Sequence, residues 1–395
     1  MLRKIIAFLL VFLFLFSDAD AKSRKKKNVK HNSSSKHHSK FKSHKKKTKK
    51  GKSSKKKRKK KSGKNLNIVK ESSAKLNTDG QGYVYDYEKQ IKAVLKSAES
   101  ASDPEDKAEL YSQAAVSYQY TYKPELYSKA VSYAARAISL TSDNEKKARY
   151  YSILGSIYTV MRPADTATAK KSYLKAIELT NDRASKAQYY SLLAAVYQYK
   201  EIPAYSEVEK YNVMAAEISE SSAERANYYA AAAGIYYSRN REKSLKYYTL
   251  ALNSVQDAET KSYYYSTIAE MYMNSYGEMN EKDLNTGISY MQKAVDTSSS
   301  PANKASYLSR ISFACRNLPV PNYEDAVKYL ENAVQVSETS TDKATYYGMI
   351  ATVYAEMEPA ENAKALQYLE KAVSSAPGHY SAPQWKEMIS SLKKR

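Results

Sequence analysis

The strings KAELYSQAAVSY, KARYYSILGSIY, KAQYYSLLAAVY, RANYYAAAAGIY, KSYYYSTIAEMY, KASYLSRISFAC and KATYYGMIATVY recur along the chain. They end at Tyr118, Tyr158, Tyr197, Tyr236, Tyr272, Cys315 and Tyr354. Each puts large or small apolar residues at spacings 0, 3, 4 and 7, as in Tyr151, Leu154, Gly155 and Tyr158. That spacing is one stripe of an α-helix. A second stripe follows each time, marked Tyr-x-x-x-Ala and usually an aliphatic: Tyr133/Ala137, Tyr211/Ala215, Tyr247/Ala251, Tyr290/Ala294, Tyr329/Ala333 and Tyr368/Ala372, with Tyr173/Ala176 slipped by one. The unit is therefore a helical hairpin, helix A then helix B, of 36 to 43 residues. From the marked Ala of helix B to the next helix A stripe is always 14 residues, whereas the span from the helix A stripe to that Ala varies from 15 to 22. Length variation belongs to the A–B turns, and a constant B–A step stacks successive hairpins with one geometry.

The spacing predicts an all-α, α-α superhelix of about sixteen helices: a leader, fourteen helices in seven hairpins, and a trailer. Residues 83–101 (within 83–106) read as the leading helix, 107–380 as the seven repeats, and 381–395, with the only Trp, Trp385, as a terminal cap. An end hairpin needs such a cap for its uncovered apolar face. Ser142 with Glu145 and Ser221 with Glu224 have capping-box spacing, and Asp103-Pro104 is a helix-start signal. The array resembles tetratricopeptide repeats, most clearly at Ala365–Pro377 and at Tyr151, Leu154, Gly155, Tyr158, Ala169, Tyr173 and Ala176. It departs from them in its period, usually 39 here, in opening helix A with Tyr, and in a closing Pro found only in the last repeat.

The resemblance implies a solenoid that binds protein or an extended peptide, with a groove on the helix A face turned away from helix B. That face is expected to carry small residues (Ser112, Ser152, Ser191, Ala230, Ser266, Ser309, Gly348). One turn on come the candidate groove residues Gln119, Thr159, Gln198, Tyr237, Met273 and Arg316. It lacks the ordered Asn and Lys/Arg set with which chaperone-binding members clamp a terminal carboxylate. Pairs such as Tyr150-Tyr151 and Tyr189-Tyr190 read as seam packing for the second Tyr. The first faces the neighbouring repeat or solvent.

Ahead of the array the composition changes. Residues 22–64 hold 23 of the 64 Lys+Arg and no acid, while 65–395 hold 39 basic and 39 acidic residues. The net charge of +23 therefore sits on 43 residues. This excludes a broadly basic nucleic-acid-binding body and sets aside the RNA-reading pentatricopeptide repeats. A segment with only Val29 and Phe41 as large apolar residues cannot offset ordering entropy and reads as a disordered tail. Lys45, Lys46, Lys47, Lys55, Lys56, Lys57, Arg58, Lys59, Lys60 and Lys61 are its candidate polyanion contacts. Its partner is an anionic membrane surface, an envelope polymer or, less favoured, nucleic acid; the alternative is a solubilising linker.

Before it, Met1–Lys4, twelve apolar residues at Ile5–Phe16 and Ala19-Asp20-Ala21 read as a secretory signal peptide over 1–21. The alternative is an uncleaved anchor, and the Lys/Arg crowding after the apolar run resists translocation. Residues 65–82 read as a linker.

One Cys leaves no disulfide framework or thiolate metal site. With no His in the array before His379, the sequence offers no triad, phosphate loop or metal spacing, and no cofactor is expected. These features favour a non-enzymatic exported scaffold in the periplasm or envelope of a bacterium, or secreted otherwise. The second reading is a polyanion binder acting through the tail. The third is a nuclear or cytosolic nucleic-acid-associated repeat protein.

Overall fold

The computed structural model describes residues 74–76, 83–85, 87–161, 163–198, 203–273, 280–357 and 359–394. The segments 1–21 and 22–64, with all the candidate polyanion contacts, lie outside the described residues, as does most of 65–82. The described residues form sixteen α-helices, the number expected. A leader, α1 (Tyr87–Ser100), precedes seven hairpins. The first four are α2 (Pro104–Gln119) with α3 (Tyr127–Leu140), α4 (Asn144–Val160) with α5 (Thr166–Leu179), α6 (Arg183–Gln198) with α7 (Tyr205–Ile218), and α8 (Ser222–Gly234) with α9 (Arg241–Ser254). The last three are α10 (Ala258–Met273) with α11 (Glu281–Thr297), α12 (Pro301–Arg316) with α13 (Tyr323–Val336), and α14 (Ser340–Glu356) with α15 (Asn362–Ser375). The trailer is α16 (Ala382–Leu392). Each helix packs on the next, and α2 also touches α4, as α4 touches α6. This is a tetratricopeptide-like helical solenoid.

The array is all-α, as expected, and one expectation ahead of it is corrected. Strands β1 (Ala74–Leu76) and β2 (Tyr83–Tyr85) pair antiparallel, Ala74 opposite Tyr85. The leading helix starts at Tyr87 rather than 83 because Tyr-Val-Tyr favours a strand.

Every B–A joint between hairpins has three residues, which is why the step never varies. The third residue is a helix cap. Asp143 accepts from the N–H of Glu145 and Lys146, Asp182 from Ser185, Ser221 from Glu224, Asp257 from Thr260, Ser300 from Asn303 and Thr339 from Asp342. Ser221 is thus the cap the sequence predicts, whereas Ser142 is not; the Asp143 carboxylate one residue later takes both amides. The first joint residue is a buried Thr or Ser in five of the six, and in three joints it is latched by a glutamate of the preceding hairpin. Glu105 accepts from the Thr141 hydroxyl at 2.8 Å, Glu145 from Thr180 at 2.5 Å and Glu259 from Ser298 at 2.6 Å.

Within hairpins one, three, five and seven a helix B ring lies between two helix A rings. Tyr133 is 5.5 Å from Tyr111 and 5.6 Å from Tyr118. The same arrangement joins Tyr211 to Tyr190 and Tyr197, Tyr290 to Tyr265 and Tyr272, and Tyr368 to Tyr347 and Tyr354. Each ring pair adds about 0.5–1.5 kcal/mol beyond area burial. The second hairpin uses a slot instead: Tyr173 is fully buried, and a Cβ on Gly155 would lie 2.9 Å from its ring. That is why the Tyr slips by one position there. At the far end Trp385 of α16 covers Gly348 of α14. His379 stacks on Trp385 at 4.7 Å, accepts the Ser381 N–H on Nδ1, and sets Nε2 3.1 Å from the Thr345 hydroxyl.

Two outcomes follow for stability. Ala194 and Ala333 are at most 1% exposed, so Ala194→Leu or Ala333→Leu is expected to cost about 1–3 kcal/mol through overpacking, read by denaturant unfolding. Hydrogen bonds from Lys146 and Thr141 hold Glu105 below the usual carboxylate range, and a bond from Ser298 does the same for Glu259. A depressed folded pKa adds stability above the unfolded value and loses it as pH falls through the folded one. The thermal midpoint should therefore stay flat above about pH 5 and drop below about pH 4.3, with a smaller acid-induced drop in Glu259→Gln.

Candidate functional site

Helix A is enclosed on most sides, and which side remains open decides what the array can bind. Counting from the first stripe position, the Ser/Gly row one residue on faces the next helix A. Gly348 receives Trp385, and Ser152 hydrogen-bonds Tyr189 of the following hairpin. The Tyr that precedes the stripe fills this seam: Tyr150, Tyr189, Tyr264 and Tyr307 are all buried. The second Tyr of each pair, such as Tyr151 or Tyr347, is half-buried against helix B, its hydroxyl at the rim. The first Tyr thus faces the neighbouring repeat rather than solvent.

The groove expected from the sequence is accordingly not one surface. Gln119 is buried and donates to the Ser156 hydroxyl of the next helix A at 2.7 Å. Met273 is buried against Gly287 of its own hairpin. Thr159 is half-buried and bonds the Gly155 carbonyl. Arg316 is held by Glu356, its Nε donating at 2.9 Å. Gln198 and Tyr237 remain exposed, at the helix end and in the A–B turn. The expected rows are one residue out, and one residue turns a helix by about 100°, from open face to seam.

The open face lies two residues before the stripe start and two and five residues after it. Here Glu109 of α2 pairs with Arg149 of α4 and also accepts from the Tyr150 hydroxyl at 3.2 Å. Further along, Glu270 of α10 pairs with Arg310 of α12. Between these ion pairs the row is uncharged; Ile153 and Thr267 are buried, and Gln188, Leu192 and Ala195 half-buried. Asn227, Ala231 and Gly234 of α8 are exposed, and a Cβ on Gly234 would meet nothing within 4 Å. Two aromatics stand out of the same face, Tyr263 at 57% exposure and Phe313 at 52%. Phe313 sits one turn from Arg310 and one turn from Arg316, both held by glutamates of neighbouring A helices. An exposed ring among pre-oriented arginines, on a face whose charges are internally compensated, suits the apolar side chain of an extended peptide. The signal was present in the sequence as Phe313, the only Phe in the repeat strings, but its exposure follows only from the register.

Groups that could do chemistry are otherwise engaged. Burial pushes the Cys315 thiol up to about 11. Burial also raises Glu209, but bonds from Tyr236, Tyr247 and Lys243 outweigh it and keep the carboxyl below its ordinary value. His379, the one histidine among the described residues, is committed to the cap. Among the described residues no group of three or more His, Cys, Asp and Glu is placed to hold a metal ion, and no helix is long and apolar enough to cross a membrane.

No protein-family model and no curated protein matches the sequence. Solved structures similar in fold include the tetratricopeptide-sensor signal-transduction ATPase of Pyrococcus horikoshii, at 16% identity and TM-score 0.41, over 78% of this chain and 54% of that one. The chain thus spans about half that protein's length. The quorum sensor NprR of B. thuringiensis is similar at 14% identity and TM-score 0.38, over 78% of this chain and 81% of that one. A Sel1 repeat protein of Oxalobacter formigenes is similar at 16% identity and TM-score 0.32, over 76% and 90%. At these TM-scores the likenesses add nothing to what the hairpins themselves show.

The two kinds of glycine separate by stability. Gly348→Leu should displace Trp385 and cost about 1–3 kcal/mol, whereas Gly234→Leu and Phe313→Ser should stay within about 0.5 kcal/mol of the parent in the same unfolding assay.

Proposed function

We propose that the protein is a non-enzymatic, exported scaffold that binds protein partners as extended peptide on the open face of its A helices. The observation that carries this reading is that face itself: a row in which charges are paired, α8 is small, and Tyr263 and Phe313 project. Its reactive groups are buried, capped or hydrogen-bonded, so the face offers recognition rather than turnover. Export rests on the basic start, apolar core and Ala-x-Ala of residues 1–21; the periplasm or cell envelope is the place in a bacterium, the exterior otherwise. The 22–64 segment then tethers the scaffold to an anionic surface. A second reading is favoured by that segment's 23 uncompensated bases: the tail binds a polyanion and the array displays it.

N-terminal sequencing of the native protein should begin at or near Lys22; an intact Met1 would argue for an anchor or an internal location. Crosslinked partners should be recovered by the full chain and by a chain lacking 22–64, persist in moderate salt, and fall away in Phe313→Ser with Gly234→Leu. Recovery that vanishes with the tail and declines steeply with salt assigns binding to the tail instead.

A further inference from the structure

The formal neutrality of residues 65–395 hides a segregation of charge across the B helices. On each helix B, the residue before the marked Tyr and the third residue after it are four apart, so they share one stripe. Five hairpins put a basic residue there: Arg136, Lys210, Lys246, Lys293 and Lys371, all exposed. Each lies over the ring it flanks, at 5.4 Å for Arg136 on Tyr133, 5.4 Å for Lys210 on Tyr211 and 5.2 Å for Lys246 on Tyr247. Lys293 is 4.8 Å from Tyr290 and Lys371 4.3 Å from Tyr368. The sixth hairpin supplies exposed Lys328 beside Tyr329. The second, with its slipped Tyr, supplies exposed Lys171 and also Lys175, the latter paired with Glu178.

Every hairpin thus contributes a base to this stripe, and the position four residues away that completes each pair is Ser, Met, Leu, Asn or Gln outside the second hairpin. Exposed Glu242 and Glu324 stand on the stripe one turn before Lys246 and Lys328, in the first turns of their helices; off the stripe lie Glu217, Asp296, Glu331 and Glu370. Of these, Glu331 is taken by the Tyr368 hydroxyl and Glu370 by Lys393. Among the described residues, the stripe bases other than Lys175 make no ion pair. Because each hairpin is joined to the next by the same three-residue B–A joint, the stripe recurs on the exposed side of successive B helices, forming a belt of bases.

We propose that this belt binds a flexible linear polyanion, laid across successive B helices with one basic contact per hairpin. Cations held against tyrosine rings are pre-oriented, and a polymer that bends can meet one base per repeat. A bilayer finds little to insert into: Leu174, at 40%, is the one large apolar side chain so exposed on a B helix among the described residues. The belt is separate from the 22–64 segment and from the open A-helix face.

Lysine acetylation footprinting of the full chain, with long-chain inorganic polyphosphate as the probe, separates belt from tail. Lys171, Lys210, Lys246, Lys293, Lys328 and Lys371 should lose reactivity several-fold, while Lys92 and Lys386 keep theirs. A full chain carrying Lys210→Gln, Lys246→Gln, Lys293→Gln and Lys328→Gln should bind the probe with a salt slope shallower by about 3, at about 0.7 per lost contact on a single strand. A variant with Lys92→Gln, Lys261→Gln, Lys304→Gln and Lys386→Gln should keep the parent slope. Protection confined to 22–64, equal protection of Lys92 and Lys386, or an unchanged slope in the belt variant overturns the proposal. So does protection of the belt by phosphatidylglycerol vesicles or duplex DNA but not by polyphosphate.

Discussion

The array depends on how one hairpin hands over to the next. A helix pair has apolar residues on more sides than its own two helices can cover, so each hairpin is completed by its neighbour. The handover is a three-residue joint with a side-chain acceptor at its end, latched in three places by a glutamate from the hairpin before. With so few residues the following helix A has one entry angle, and its leading Tyr meets the small residue on the previous helix A. The A–B turns carry no such burden, which is why they absorb the variation in length.

That handover also distributes the surfaces. Helix A is used by its own helix B, by the helix B before it and by helices A on both sides, so only one narrow row is left open. Helix B is used on its inner side alone and keeps a broad outer face. A partner seeking apolar contact meets the A row, with Phe313 and Tyr263; a partner seeking positive charge meets the B stripe, with its lysines on tyrosine rings. Net charge, summed over the body, cancels these into zero and conceals both.

The repeats, the number of helices and the constant step were legible because stripe spacing and joint length are local properties of the chain. Gly155 beside Tyr173 was visible as a signature position, though the slot it makes was not. The candidate groove misfired at Gln119 and Met273 because a binding row was assigned from helix A and helix B alone. The neighbouring helix A, which takes the Ser/Gly row and buries it, has no signature within one repeat. The same blindness hid which Tyr of each pair is the more enclosed. At the joints, Ser142 had the spacing of a cap, yet Asp143 outcompetes it because an ionised oxygen one residue on reaches two amides.

By itself the amino-acid order determined that this chain is a row of helical hairpins, where each begins, and where the positive excess lies, since periodicity, caps and charge are written residue by residue. Only the tertiary structure decided which stripe of each helix faces solvent. That choice is made by contacts between hairpins about 40 residues apart, and a turn of about 100° per residue makes an error of one position the difference between a seam and a surface.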